Sequence, residues 1–74
     1  MLRTTDPEFV QMKDEYETLK EKIDELENVI KKARKNQVAG VTLDDIHLME
    51  EQSGYMNAYA TVLATRISRV ESGI

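Results

Sequence analysis

Residues 9–33, FVQMKDEYETLKEKIDELENVIKKA, decide the fold of this 74-residue chain. Apolar residues recur through this stretch at alternating spacings of three and four, and positions so spaced share one face of an α-helix. The stripe continues for more than three heptads without a break, which is the pattern of a helix that packs lengthwise on another helix. Its members are Phe9, Met12, Tyr16, Leu19, Ile23, Leu26, Ile30 and Ala33.

Sequence signals mark both ends of this helix. Asp6 is suited to cap the free backbone N–H groups, and Pro7 suits the first helical position, where no donor is needed. The segment NQVAGV, residues 36–41, breaks the period and contains Gly40, which predicts a turn. We therefore expect a first helix over residues 7–35 and a turn over residues 36–42.

The second helix also has a clear beginning and end. Thr42 is followed three residues later by the acidic Asp45, which is a capping pattern. The helix is predicted over residues 43–71, with Gly73 placed to end it and Ile74 available to fold back on its last turn. Two helices of nearly equal length joined by a short turn predict an all-α antiparallel hairpin, which forms a single domain over the whole chain, 1–74.

The second helix carries two apolar stripes. The first is predicted to pack on the first helix and consists of Ile46, Met49, Ser53, Met56, Ala60, Leu63, Ile67 and Val70. The other, here called the second stripe, lies about 100° further round the helix and consists of Leu48, Tyr55, Tyr59 and Val62, extended by Gln52 and Arg66.

A lone hairpin can cover only one of these stripes, and the core of so small a chain rarely yields more than roughly 3–5 kcal/mol. We therefore expect a homo-oligomer whose interface includes Leu48, Tyr55, Tyr59 and Val62. The alternative is that a different protein supplies the missing surface.

Composition disfavours several functional classes. The chain has no cysteine and one histidine, so disulfides, thiolate chemistry and zinc sites are not expected. No apolar run approaches the roughly 18 residues of a membrane span, and a net charge of -4 disfavours binding to DNA or RNA polymers. His47, the one conventional base, lies among acidic residues and is expected to be a surface residue. A non-enzymatic cytoplasmic protein without metal or cofactor is predicted.

Residues 53–70, SGYMNAYATVLATRISRV, contain two arginines and no acidic residue. An aromatic ring can stack on a nucleobase, and a guanidinium group can bind a phosphate through two parallel hydrogen bonds. The segment therefore predicts a nucleotide site, with the candidate residues Tyr16, Lys20, Tyr55, Tyr59, Thr65, Arg66 and Arg69. The alternative is that the tyrosines anchor an interface and the arginines pair with acidic residues of a neighbouring chain.

From about Met12 onwards the chain resembles a family of very small phage proteins. A first helix containing EYETLKEKI, residues 15–23, leads through a short turn to LMEEQ, residues 48–52. The second helix follows the pattern Gln-x-x-x-Met-x-x-Tyr-x-x-Val-Leu-x-x-Arg-Ile, matched by Gln52, Met56, Tyr59, Val62, Leu63, Arg66 and Ile67. This layout is similar to the hairpin domain of phage sponge proteins of the anti-CBASS and Thoeris-antagonist type.

The resemblance implies a non-enzymatic protein that sequesters cyclic nucleotide signals such as cyclic GMP-AMP and so inhibits CBASS-type antiviral defence. It implies a homo-oligomer, with a hexamer as one option, that binds a cyclic di- or trinucleotide in the cytoplasm of an infected bacterial host. Neither a nucleic-acid polymer nor a membrane is expected as a partner. The alternative is a small structural or adaptor coiled-coil protein that acts only through helix–helix contacts.

Overall fold

A computed structural model describes residues 2–36 and 38–73 of the chain. These residues form two α-helices, α1 (Pro7–Arg34) and α2 (Leu43–Glu71). The helices pack side by side in antiparallel directions and give a rod of 48 × 15 × 14 Å. The predicted all-α antiparallel hairpin is therefore confirmed.

The core lies along the seam between the two helices. Every buried residue in the described part of the chain belongs to one of the two stripes predicted to face each other, and Leu63 is the most deeply buried, with 1% of its surface exposed. The half-buried Tyr16, Leu19 and Val70 pack around the end of the core nearest the termini, together with Leu2. The buried residues are Phe9, Met12, Ile23, Ile30, Ala33, Ile46, Ser53, Ala60, Leu63 and Ile67.

Ion pairs cross the seam on one of its two sides. Arg34 donates from Nη2 to both carboxylate oxygens of Glu50 at 2.6 Å, and from Nε to Oε2 at 3.2 Å. Nearer the termini, Lys13 Nζ lies 3.9 Å from Glu71 Oε2. We call this side the ion-pair flank. The hydrogen bonds from Arg34 lower the pKa of Glu50 and the same contact raises the pKa of Arg34.

The start of α2 has the predicted cap. The backbone N–H of Asp45 donates to Thr42 Oγ1 at 3.1 Å, and the backbone N–H of Thr42 donates to Asp45 Oδ2 at 3.0 Å. Two backbone donors that no helical carbonyl can reach are satisfied in this reciprocal way. The bond from the backbone of Thr42 is the main reason that the pKa of Asp45 is lowered.

The start of α1 differs from the prediction. Pro7 occupies the first turn as expected, but the side chain of Asp6 makes no capping bond to the helix. Its carboxylate instead accepts from the backbone N–H of Arg3 at 2.8 Å, while its carbonyl oxygen accepts from Phe9 N–H at 3.0 Å. The predicted side-chain cap is therefore wrong, because the preceding residues offer the carboxylate a closer donor.

Residues with left-handed backbone conformation end the helices and shape the turn. α1 ends at Arg34, one residue before the predicted end, and Asn36 follows it with φ +57°. Gly40 in the turn has φ +79°, and Gly73 after α2 has φ +76°. Glycine adopts such angles without steric cost, which explains its position at both places. The predicted fold-back of Ile74 lies outside the described residues.

Candidate functional site

The second stripe lies uncovered along the outer side of α2. Its four interface candidates, Leu48, Tyr55, Tyr59 and Val62, keep between 45 and 69% of their surface exposed. Arg69 continues the same three-four spacing towards the end of the helix. Single exposed apolar residues are common on protein surfaces, but a row of them along one face is not. This face therefore has the character of a binding surface.

Both tyrosines of the second stripe use their hydroxyl groups within the chain. Tyr59 donates from Oη to Oε1 of Glu15 on α1 at 2.5 Å, and Tyr55 donates to Oε1 of Glu51 at 3.2 Å. The bond to Glu15 is the main reason that the pKa of Tyr59 is raised. Because the rings themselves remain exposed, they are available to stack on a planar ligand.

Arg66 lies in a groove that it shares with carboxylates of α1. The groove has a volume of about 400 Å³ and is lined by Leu2, Glu8, Gln11, Met12, Glu15 and Arg66. In the part of the chain that the structure describes, neither Arg66 nor Arg69 forms an ion pair. The stretch around the arginines is thus free of acidic residues along the chain but not in space, because α1 supplies two.

A neighbouring groove lies beside Tyr59. It has a volume of about 310 Å³ and is lined by Asp14, Glu15, Thr18, Leu19, Lys22 and Tyr59. Glu15 lines both grooves and so stands between Tyr59 and Arg66. Glu15 is not among the predicted site residues. A usable signal exists, since Glu15 and Tyr59 each directly precede a residue of the packed seam, and antiparallel helices bring such flanking positions together.

Three other predicted site residues lie elsewhere in the single chain. Tyr16 is half-buried and packs against the core. Lys20 follows Lys13 by seven residues, which is about two helical turns, so it lies on the ion-pair flank, opposite Tyr59. Thr65 donates its hydroxyl to the carbonyl oxygen of Thr61 at 3.0 Å. The candidate residues that share one exposed face are therefore Tyr55, Tyr59, Arg66 and Arg69.

The ion-pair flank has a groove of its own, with a volume of about 450 Å³. Its lining consists of Glu27, Ile30, Lys31, Glu50, Ser53, Gly54 and Asn57. The amide of Asn57 donates to the carbonyl oxygen of Ser53 at 2.8 Å, so this amide is bound within α2. This groove contains no aromatic residue and is separate from the second stripe.

Within residues 2–36 and 38–73, no group of three or more His, Asp or Glu side chains is arranged to hold a metal ion. His47 is exposed on the first turns of α2. Of the helices in these residues, neither is long and apolar enough to cross a membrane.

Comparison with known proteins gives one match. A family model described as Sequestin matches residues 7–69, which include nearly all of both helices. No curated protein matches the chain, and no solved structure matches it.

Proposed function

Because the chain belongs to the Sequestin family, we propose that it binds and sequesters a cyclic di- or trinucleotide immune signal such as cyclic GMP-AMP. The family is one of phage proteins that sequester signalling molecules and is not known as an enzyme family. Removal of such a signal in the cytoplasm of an infected bacterium would inhibit CBASS-type antiviral defence. Sequestration depends on affinity and abundance and needs no catalytic group.

The observation that carries the proposal is the composition of the exposed face of α2. Two aromatic rings lie on it at helical spacing with two arginines that form no ion pair among residues 2–36 and 38–73. Base stacking on an aromatic ring and charge-assisted binding of phosphate by arginine are the two contacts that a cyclic nucleotide offers in every variant. The two rings and two arginines suit cyclic nucleotides as a class and do not select a particular base.

The same face supports assembly into a homo-oligomer. The grooves beside Tyr59 and Arg66 are open, and one chain covers a ligand from one side only. A second copy that packs on the second stripe would bury Leu48 and Val62 and close the ligand in. Ligand sites between subunits of this kind remove most of the ligand surface from water, as tight binding of small molecules requires.

Thermal unfolding with a panel of cyclic di- and trinucleotides tests the proposal. A specific ligand at a hundredfold excess over its Kd should stabilise the folded protein by roughly 2.7 kcal/mol. The linear dinucleotides with the same bases are the control, since they offer the same bases and a phosphate but are not closed into a ring. Native mass spectrometry of protein taken directly from infected cells would report the number of chains and any retained nucleotide together.

A clear negative result is possible. If the oligomer is intact and no cyclic nucleotide changes its unfolding temperature or gives heat in calorimetry, the sequestration proposal fails. The exposed face would then serve helix–helix contacts alone, as in a structural or adaptor coiled-coil protein.

A further inference from the structure

Glu15 stands between two potential partners on α2. Its carboxylate accepts the hydrogen bond of the Tyr59 hydroxyl, and it also lines the groove that contains Arg66. Tyr59 and Arg66 are seven residues apart, so about two helical turns separate them on the same side of α2. In the structure the carboxylate is bound to the phenol, and Arg66 is left without an ion pair among the described residues.

A carboxylate and a phosphate compete for the same guanidinium group. Both accept two parallel hydrogen bonds from arginine in nearly the same geometry. A carboxylate within the same chain is present at a high effective concentration, so it competes well even when each contact is weak. Whatever holds Glu15 away from Arg66 therefore increases the affinity of Arg66 for an external anion.

We propose that Glu15 is an internal competitor of the ligand for Arg66, and that the Tyr59 hydroxyl is a positioning group that keeps Glu15 away from it. The inference rests on the function proposed above, in which Arg66 binds a ligand phosphate. It gives Tyr59 two separable roles, since the ring can stack on a base while the hydroxyl holds the carboxylate. The raised pKa of Tyr59, caused mainly by its hydrogen bond to Glu15 and opposed by the charge of Arg66, agrees with this placement.

A double-mutant cycle tests the inference. The proteins are the wild type, Tyr59→Phe, Glu15→Gln and the double variant, and the measurement is the Kd for cyclic GMP-AMP by calorimetry at one fixed salt concentration. Tyr59→Phe keeps the ring but releases Glu15, so it should weaken binding by about threefold or more, the lower range of coupling between contacting residues. The same change in the Glu15→Gln background should have little effect, and Glu15→Gln alone should bind as tightly as the wild type or more tightly.

The matched control is Glu21→Gln, which removes one negative charge from an exposed position of α1 outside both grooves. Its Kd should stay within twofold of the wild-type value, roughly the change that one distant surface charge causes. Circular dichroism of every variant checks that the helices are retained.

The outcomes separate this inference from the proposed function. If Tyr59→Phe weakens binding equally in both backgrounds, the hydroxyl contacts the ligand directly and the positioning role is overturned, while wild-type binding still supports sequestration. If Glu15→Gln weakens binding more than Glu21→Gln, Glu15 is a binding group and the competitor role is overturned. If none of the four proteins binds cyclic GMP-AMP or any other cyclic di- or trinucleotide of the panel, both proposals fail.

Discussion

Thr42 is the N-cap of α2, and its hydroxyl group accepts the hydrogen bond that forms the cap. Replacing Thr42 by alanine leaves the N–H of Asp45 without that partner, so we expect a loss of about 0.5–2 kcal/mol in the free energy of unfolding. Chemical denaturation measures it. The matched control is Thr61→Ala, because that hydroxyl donates to a carbonyl of its own helix and alanine has the higher helix propensity. An equal loss in both variants would contradict the capping role.

The lowered pKa of Glu50 predicts how its ion pair with Arg34 responds to acid. Its pKa is lowered in the folded chain, above all by the hydrogen bond from Arg34, whereas an unfolded chain has the ordinary value of about 4.3. The unfolded state therefore takes up the proton first as the pH falls. The stabilisation is complete above the ordinary value and is lost as the pH falls through the lowered one.

The measurement is the unfolding temperature of the wild type and of Glu50→Gln as a function of pH. The wild type should be the more stable at neutral pH, and the difference should shrink as the pH falls below about 4.3. The comparison isolates Glu50, because the two proteins are identical at every other position. A difference that stays constant down to the acid limit would show that the pair with Arg34 makes no contribution dependent on ionisation.

Of the two expected side-chain caps, the sequence predicts the one at Thr42 correctly and the one at Asp6 incorrectly. The cap at Thr42 is predictable because its donor and acceptor are three residues apart and have no competing partner. The expected cap at Asp6 is absent because the N–H of Arg3, which precedes the periodic part of the sequence, takes the carboxylate. Short-range hydrogen bonds are predictable only where the local chain offers a single partner.

The packing of α1 against α2 depends on the seam between them, and Leu63 is the most buried residue of that seam. Leu63→Ala removes side-chain volume that the opposite helix cannot replace, so a loss of about 2–5 kcal/mol in the free energy of unfolding is expected. Leu43→Ala makes the same chemical change at a position with 61% of its surface exposed and should cost about 0.5 kcal/mol or less. Denaturant titration at equal chain concentration compares them, and similar losses would show that the seam is placed wrongly.

The same seam shows what periodicity can predict. Both packed stripes follow from spacings of three and four, because the side chains that a helix buries are determined by its own geometry. Contacts across the seam, such as that of Tyr59 with Glu15, need the register of one helix against the other. Register is set by the turn and by the packing of unlike side chains. The flanking positions of Glu15 and Tyr59 therefore suggest that the two residues are on the same side of the seam, and only the packed hairpin shows their hydrogen bond.

The whole molecule is predicted to contain more than one chain. Tyr59→Asp and Val62→Asp each place a charge in the second stripe, which costs free energy where water is excluded. We expect sedimentation velocity at micromolar concentration to show an assembly for the wild type and single chains of 8.5 kDa for these variants. Thr61→Asp, a neighbour outside the second stripe, is the control. A wild-type mass of one chain would contradict the predicted assembly.

Ligand binding by the assembly should depend on the arginines of α2. Arg66→Glu removes a charge-assisted contact and repels a phosphate, so the affinity for cyclic GMP-AMP is expected to fall about tenfold or more. Lys35→Glu makes the same change in net charge just beyond the end of α1 and should have little effect. Calorimetry on intact oligomers decides between them. Equal weakening in both variants would indicate a response to overall charge and not a site.

The two ends of the described chain lie together at one end of the rod, where residues 2–5 and 70–73 line a common groove of about 540 Å³. A force applied between these ends acts across the seam and not along it. It would act first on the packed side chains nearest the termini, around Phe9. From there it would separate the two helices progressively towards the turn. In a single-molecule stretching experiment the hairpin should therefore open progressively, from the termini towards the turn.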